Sequence, residues 1–235
     1  MKLYIRLAGV FLSILLLAGC GQDGGTGQSL AERIKKDMET LKPVSLSLIS
    51  EDPENPLMLV NKRHWLTADY VPSDLVSVAD FSVGGGKAKA AVRSAYEALY
   101  QSARKEGYDI RIVSAYRDYA LQKELFAYWT RVDGPVQAER TSARPGRSEH
   151  QTGYALDVSC LSEGWDLQES FGSTPEGKWL AENCCKYGFI IRYQKDTDSI
   201  TGYAYEPWHI RYVGREAAAE IFEKNITLEA YLQEF

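Results

Sequence analysis

Apolar residues along the chain recur with two different periods, one typical of helices and the other of strands. From residue 88 to residue 106 they recur at helical spacing in a segment rich in Ala, Leu, Lys, Arg and Glu, and Gly107 ends it. Residues 109–113 alternate at the strand period instead. The same criteria predict helices at 119–131 and 174–187 and strands at 57–60, 154–159, 189–193 and 208–213. Helices mixed with antiparallel strands predict an α+β domain with a central antiparallel sheet flanked by helices.

Polar and helix-breaking residues set the predicted boundaries between these elements. Asp118 is suited to cap the helix at 119–131, and Pro175 fits the first position of the next helix. Residues 133–149 are polar and contain Gly and Pro, so they are predicted to form a loop. Gly214 opens a terminal helical region rich in Ala and Glu. No internal repeat is visible, and residues 46–235 are predicted to form one domain.

The first 19 residues have the layout of a secretory signal peptide. A positively charged start is followed by an apolar run that is shorter than a membrane-spanning helix usually requires. The run closes with Leu-Ala-Gly-Cys20, which resembles the lipobox of bacterial lipoproteins. That resemblance implies cleavage before Cys20, lipid on its sulfur, and a flexible tether through residue 45 that holds the protein at the outer face of the cytoplasmic membrane. An ordinary cleaved signal and an uncleaved anchor are the alternatives.

The charge of the chain argues against polyanionic partners. The formal net charge is −5, and loss of residues 1–19 removes Lys2 and Arg6, which changes it from −5 to −7. No basic run offsets this negative charge. We therefore expect neither nucleic-acid binding nor attraction to anionic lipid surfaces.

The chain has four cysteines, and three remain once Cys20 is assigned to lipid attachment. Cys160, Cys184 and Cys185 would lie in an exported domain, where a disulfide between Cys160 and one of the vicinal pair is possible. Buried free thiols are the alternative. Because no Cys-x-x-Cys spacing occurs, the cysteines are not interpreted as metal ligands.

Two short segments, 148–157 and 206–209, contain the residues of a metal site. The chain has three histidines, and two of them, His150 and His209, fall in these segments together with Asp157. Gly153 permits a turn between His150 and Asp157 that can direct both side chains to one point. Two imidazoles and one carboxylate suit a zinc ion that keeps one position open for water. The spacing therefore predicts one Zn²⁺ per chain.

Glu206 is the candidate base of this site. It precedes His209 by three residues, so its carboxylate can reach a water molecule at the metal and take its proton. A surface or salt-bridged carboxylate is the alternative for Glu206.

The motifs resemble those of the VanY-type D-alanyl-D-alanine carboxypeptidases, which belong with the zinc peptidases of the lysostaphin and hedgehog group. Ser-x-His-x-x-Gly-x-Ala-x-Asp stands at 148–157, Glu-x-Trp-His at 206–209, and Ser-Ala-Tyr-Arg at 114–117. The resemblance extends over nearly all of residues 57–215, with the same order and spacing. It implies the fold of these D,D-peptidases, with a sheet flanked by helices.

The resemblance also implies a role for each matching residue. It implies zinc ligands at His150, Asp157 and His209, a catalytic base at Glu206, an oxyanion-stabilising Arg117, and a substrate-binding set of Ser148, Gln122, Tyr116 and Trp208. A guanidinium is suited to polarising a carbonyl and steadying an oxyanion. Tyr116 and Trp208 are expected to form pocket walls, and on bare sequence Gln122 is equally compatible with a solvated helix position. His64 lies outside every motif and is expected to be structural or exposed.

The resemblance implies a membrane-tethered zinc carboxypeptidase that removes the C-terminal D-alanine from peptidoglycan stem peptides. An L,D-carboxypeptidase or an endopeptidase that cleaves within the stem would use the same chemistry, and these residues do not separate the three. A metal-structured module that binds wall peptides without cleaving them is a further alternative. Glu206 and Arg117 argue against that alternative, because a binding module needs neither a base nor an oxyanion partner.

Overall fold

The computed structural model describes residues 52–233, and its main feature is a four-stranded antiparallel sheet. The strands are β1 (Leu75–Ser77), β2 (Lys87–Lys89), β3 (Arg111–Ser114), β4 (Ala155–Ser159), β5 (Phe189–Tyr193) and β6 (Glu206–Tyr212). The α-helices are α1 (Ala90–Lys105), α2 (Tyr119–Val132), α3 (Pro135–Thr141), α4 (Pro175–Asn183), α5 (Asp198–Thr201), α6 (Arg215–Lys224) and α7 (Leu228–Tyr231). The large sheet has the order β3–β4–β6–β5, whereas β1 and β2 form a separate antiparallel pair.

The large sheet separates two hydrophobic cores. Phe189 of β5 belongs to the main core, where its ring meets Tyr96 of α1 edge-on at 6.3 Å between centroids. The next residue, Ile190, belongs to a second core with Ile221 of α6 and Leu228 of α7. Because successive side chains of a strand point to opposite faces, the two cores lie on opposite faces of the sheet. The predicted sheet flanked by helices is therefore confirmed.

The register of the sheet places polar residues on the face of the second core. Asp157 of β4 lies directly opposite His209 of β6, and Ile190 of β5 lies opposite Arg211 of β6. Directly opposed residues project to the same face, and so do residues two apart on one strand. Asp157, His209 and Arg211 therefore share one face with Ile190.

Most of the predicted elements occur within a few residues of their expected bounds. The two long helices are α1 and α2, and the Asp118 side chain caps α2 by accepting a hydrogen bond from the Leu121 amide at 2.8 Å. The predicted helix at 174–187 divides into α4 and a 3-10 turn at Cys184–Tyr187. Gly188 ends that turn with a φ of 86°, a backbone conformation that favours glycine.

The strand predicted at 57–60 is wrong. These residues are mostly buried, but they lack strand pairing. The Arg211 side chain reaches the start of this segment and donates hydrogen bonds to the carbonyls of Met58 and of the preceding Pro56, at 2.7 and 2.9 Å. A guanidinium thus satisfies backbone acceptors that a neighbouring strand would otherwise satisfy.

The loop predicted at 133–149 is also wrong in part, because it contains α3. Gly134 precedes the helix with a φ of 82°, and Pro135 occupies its first turn. Ala138 is the buried residue of α3, so a helix packed against α2 is compatible with a mostly polar sequence. The pair β1–β2 was not predicted, since three-residue strands leave too short a pattern to recognise.

All three cysteines in the described part of the chain are buried and free. The alternative of buried thiols therefore holds, and the possible disulfide does not form. Within residues 52–233, no helix has the length and apolar character needed to cross a membrane. The predicted signal peptide at 1–19, the lipid on Cys20 and the tether at 20–45 lie outside the described residues.

Candidate active site

His150 lies on a 3-10 turn, Glu149–Thr152, immediately before β4. Gly153 ends this turn with a φ of 72°, and a Cβ there would lie only 3.0 Å from the Lys89 side chain. A residue without a side chain is therefore needed where the chain turns into β4. His150 Nδ1 lies 2.6 Å from the carbonyl oxygen of Ala115. Because a carbonyl only accepts, Nδ1 carries the hydrogen and Nε2 faces Asp157 with a free lone pair.

Three candidate ligand side chains meet at this point. Nε2 of His150 lies 3.1 Å from Oδ2 of Asp157, and Nδ1 of His209 lies 3.0 Å from Oδ1 of the same carboxylate. One ligand atom from each residue lies within 4.8 Å of the others, and all three residues are buried. The cross-strand pairing of Asp157 with His209 directly brings together two of the three candidate ligand side chains.

The donor atoms fit a zinc ion. His150 Nε2 and Asp157 Oδ1 are buried, and neither makes a hydrogen bond of good geometry with any group in residues 52–233. Buried polar atoms are rarely left without a partner, so atoms directed at a common point indicate a ligand there. Two imidazole nitrogens and one carboxylate oxygen are a ligand set that zinc uses in catalytic sites.

Glu206 begins β6 at the edge of the ligand cluster. Its Oε2 lies 3.8 Å from His209 Nδ1, and the residue is only 8% exposed. Burial raises the pKa of Glu206 to about 8; His209 opposes this rise, and the Asp157 carboxylate adds to it. A carboxyl group with a pKa near neutrality can both take up and release a proton.

Arg117 points into the same cluster from the end of β3. Its Nη1 donates hydrogen bonds to Ser114 Oγ at 2.7 Å and to Asp157 Oδ2 at 3.1 Å. Its Nε donates to Gln122 Oε1 at 3.1 Å, and the Gln122 amide in turn donates to the Ala143 carbonyl at 2.8 Å. Gln122 is 2% exposed, so the possibility of a solvated helix position is excluded. Gln122 instead holds the guanidinium in place.

One cavity of about 750 Å³ contains all nine residues that the motifs predict for the site. It is lined by the ligand set, by Glu206 and Arg117, and by Ser148, Gln122, Tyr116 and Trp208. His64 does not line it, as expected. Helix α2 contributes Leu121 and Trp129 to the lining of the cavity. The structure therefore brings every predicted site residue of the described chain to one place.

Sequence reasoning missed one residue that contacts a candidate ligand. Glu149 is 1% exposed, and its Oε2 lies 3.4 Å from His209 Nε2. Burial alone would raise the pKa of Glu149, but the nearby Arg192 and Arg211 outweigh it and hold the pKa well below its usual range. The only local signal is the position of Glu149 directly before His150, and an acidic residue in a polar segment is not distinctive.

Comparison with known proteins decides the family. The family model of VanY, described as D-alanyl-D-alanine carboxypeptidase, matches residues 86–215. The chain belongs to the VanY family. It is therefore a member of a hydrolase family of carboxypeptidases, and the predicted family and fold class are confirmed.

Individual relatives extend the VanY match over most of the chain. A putative carboxypeptidase of Bacillus subtilis, YodJ, is 46% identical over 188 residues, which are 78% of this chain and 69% of the relative. The structure of the LdcB LD-carboxypeptidase superposes with a TM-score of 0.73 at 44% identity and covers 78% of this chain and 88% of that one. A zinc complex of a mutant vancomycin-resistance D,D-pentapeptidase VanY gives 0.64 at 33% identity, with coverage of 75% and 98%.

Proposed function

We propose that this VanY-family protein is a zinc-dependent carboxypeptidase that removes the C-terminal D-alanine from peptidoglycan stem peptides. The observation that carries the proposal is the convergence of His150, Asp157 and His209 beside Glu206 in one cavity. A zinc ion bound there would supply the positive charge that makes a water molecule acidic enough to attack an amide near neutral pH. The VanY relative solved with Zn(II) supports the choice of metal.

The side chains of the cavity account for the proton transfers and the charge stabilisation. Glu206 takes the proton of the attacking water and delivers it to the departing amine, because its buried carboxyl lies at the edge of the ligand cluster, 3.8 Å from His209 Nδ1. Arg117 stabilises the negative charge that develops on the scissile carbonyl oxygen. Its guanidinium is held by Ser114 and Gln122, so little reorganisation is needed when that charge appears.

The remaining cavity residues are suited to holding the end of a peptide. Ser148 is 3% exposed and lines the cavity, where its hydroxyl can bind the terminal carboxylate. Tyr116 and Trp208 are half-buried and form walls for the small D-alanine side chain. A related VanY enzyme has been solved in complex with D-alanine–D-alanine, which supports this class of substrate.

An L,D-carboxypeptidase is the second candidate. LdcB, an LD-carboxypeptidase, superposes with a higher TM-score than the VanY zinc complex, 0.73 against 0.64. Both activities need the same metal, base and arginine, so they differ only in the residue that precedes the cleaved bond. Cleavage within the stem is less well supported, and Glu206 and Arg117 argue against a module that binds without cleaving.

We further propose that the enzyme is attached to the outer face of the cytoplasmic membrane by lipid on Cys20. The proposal depends on the sequence of residues 1–20 and on the Gly-, Gln- and Ser-rich segment after Cys20. This location would give the active site access to newly made stem peptides.

The test is to incubate the purified protein with stem pentapeptide and with stem tetrapeptide and to identify the products by mass. Loss of one D-alanine from the pentapeptide would support the D,D activity, and loss from the tetrapeptide would support the L,D activity. Removal of zinc by a chelator should abolish turnover, and zinc should restore it. Turnover that persists in the Glu206→Gln variant, or products cut inside the stem, would contradict the proposal.

A further inference from the structure

His209 has one ring nitrogen on the metal side and the other against a buried carboxylate. Nδ1 lies 3.0 Å from Asp157 Oδ1, whereas Nε2 lies 3.4 Å from Glu149 Oε2. The contact with Glu149 has hydrogen-bond geometry, whereas Asp157 Oδ1 makes no hydrogen bond of good geometry within residues 52–233. A carboxylate oxygen only accepts, so Nε2 is the nitrogen that donates. We propose that Glu149 is a positioning residue that keeps the hydrogen of His209 on Nε2 and thereby directs the Nδ1 lone pair at the metal. This inference rests on the proposed zinc site.

The surroundings of Glu149 leave one of its oxygens for His209. Arg192 of β5 and Arg211 of β6 both contact Oε1, each at 2.8 Å. Oε2 is thus the oxygen that faces the imidazole at 3.4 Å. The side chains of Glu149 and both arginines are fully buried, so water does not compete for these contacts.

A second carboxylate completes the buried charge network. Glu229 of α7 accepts hydrogen bonds from Arg192, with Oε1 at 2.6 Å from Nη2 and Oε2 at 2.9 Å from Nη1. Two carboxylates and two guanidinium groups make the network neutral. Its members come from β5, β6, α7 and the turn before β4, so packing of four elements fixes the position of Glu149.

Stability alone does not account for this network. Buried ion pairs generally give no more stability than apolar side chains of the same volume, because desolvation cancels much of the attraction. A carboxylate behind a metal-bound histidine, in contrast, fixes its tautomer and orientation and makes it a better ligand. Glu149 is placed for that role, whereas Glu229 belongs to the same network without contacting His209.

With zinc bound, the two histidines are thereby held in opposite tautomers. His150 donates through Nδ1 to the carbonyl of Ala115 and presents Nε2, whereas His209 donates through Nε2 to Glu149 and presents Nδ1. This difference can be measured in the zinc-loaded wild-type protein by ¹H–¹⁵N correlation spectroscopy of its histidine rings. His64 serves as a ring outside the site. A hydrogen found on Nδ1 of His209 would overturn the proposal without any variant.

Glu149→Gln and Glu229→Gln provide a matched pair of variants. Each removes one negative charge from the same network, so both should lower the stability of the chelator-treated protein. Only Glu149→Gln should also weaken zinc binding, by roughly 10–100-fold as for other carboxylates behind metal ligands. Zinc affinity is measured by competition with a chromophoric chelator, and Co²⁺ absorption reports the ligand geometry.

The outcomes separate this inference from the proposed function. Equal zinc affinity in the two variants would overturn the role of Glu149, while wild-type turnover of stem peptides would leave the proposed function standing. A wild-type protein that does not bind zinc would overturn both. If Glu149→Gln does not fold, the histidine spectrum of the wild-type protein still decides.

Discussion

The buried carboxyl of Glu206 makes the metal-free protein less stable near neutral pH, and replacing it with Gln should reveal this. The carboxyl is buried, and its pKa is raised from 4.5 to about 8 in the folded protein, first by burial and then by the Asp157 carboxylate, against the effect of His209. Between these two values the folded state binds more protons at Glu206 than the unfolded state does. Stability therefore falls as the pH rises from about 4.5 to about 8.

The size of the effect follows from the same pKa. A pH of 7 is about 2.5 units above the pKa of this carboxyl in the unfolded chain, and each unit corresponds to about 1.4 kcal/mol, so the cost is about 3–4 kcal/mol. Glutamine has the shape of the protonated acid and cannot ionise. We expect Glu206→Gln to raise the free energy of unfolding by about 1–3 kcal/mol at pH 7 and by less than about 1 kcal/mol at pH 5. The same variant should lose about 10²–10⁴-fold in turnover.

The assay is urea unfolding of chelator-treated protein at several pH values between 5 and 8. Asp157→Asn is the matched control, because interactions with His150 and His209 outweigh burial and lower the pKa of Asp157. That variant should be destabilised at neutral pH, opposite in sign to Glu206→Gln. If Glu206→Gln is less stable than the wild type, or if its advantage does not grow with pH, the reasoning about burial is refuted.

Three further predictions concern the metal and Arg117. Zinc binding at pH 7 should release protons and weaken as the pH falls, because burial lowers the pKa of His209 but the nearby carboxylates of Asp157 and Glu149 outweigh it and raise the pKa to about 9. Calorimetry in buffers of different ionisation enthalpy measures this, and a binding heat that does not depend on the buffer would contradict it. Arg117→Lys should lower kcat by about 10²–10³-fold, since an ammonium cannot reproduce the oriented guanidinium; steady-state kinetics with an unchanged kcat would refute its role. Gln122→Ala should lower the free energy of unfolding by about 1 kcal/mol and also reduce kcat, because it removes the hydrogen bond to the half-buried Ala143 carbonyl and releases Arg117. Denaturation and kinetics test both, and loss of stability without loss of kcat would show that Arg117 needs no such support.

Prediction from sequence succeeded where the determining interactions are local. The cap at Asp118 and the helical period of α1 depend on residues a few positions apart, and both occur as expected. It failed at 57–60, where the apolar run is mostly buried but Arg211, more than 150 residues away in the chain, binds the carbonyls of Met58 and of the preceding Pro56. A pattern of apolar residues reports burial, and it does not report which group satisfies the backbone.

The same distinction applies to the active site. His150, Asp157, His209 and Glu206 could be identified from sequence, because zinc chemistry restricts the residue types and a single turn and one strand pair restrict their spacing. Their tautomers and protonation could not be identified, because these depend on burial and on partners brought together by the fold. Glu149 illustrates this: its contacts with Arg192 and His209 span 43 and 60 residues, and only the packing of strands and helices creates them. The sequence by itself determined which atoms can bind the metal, and the tertiary structure decided how those atoms are oriented and charged.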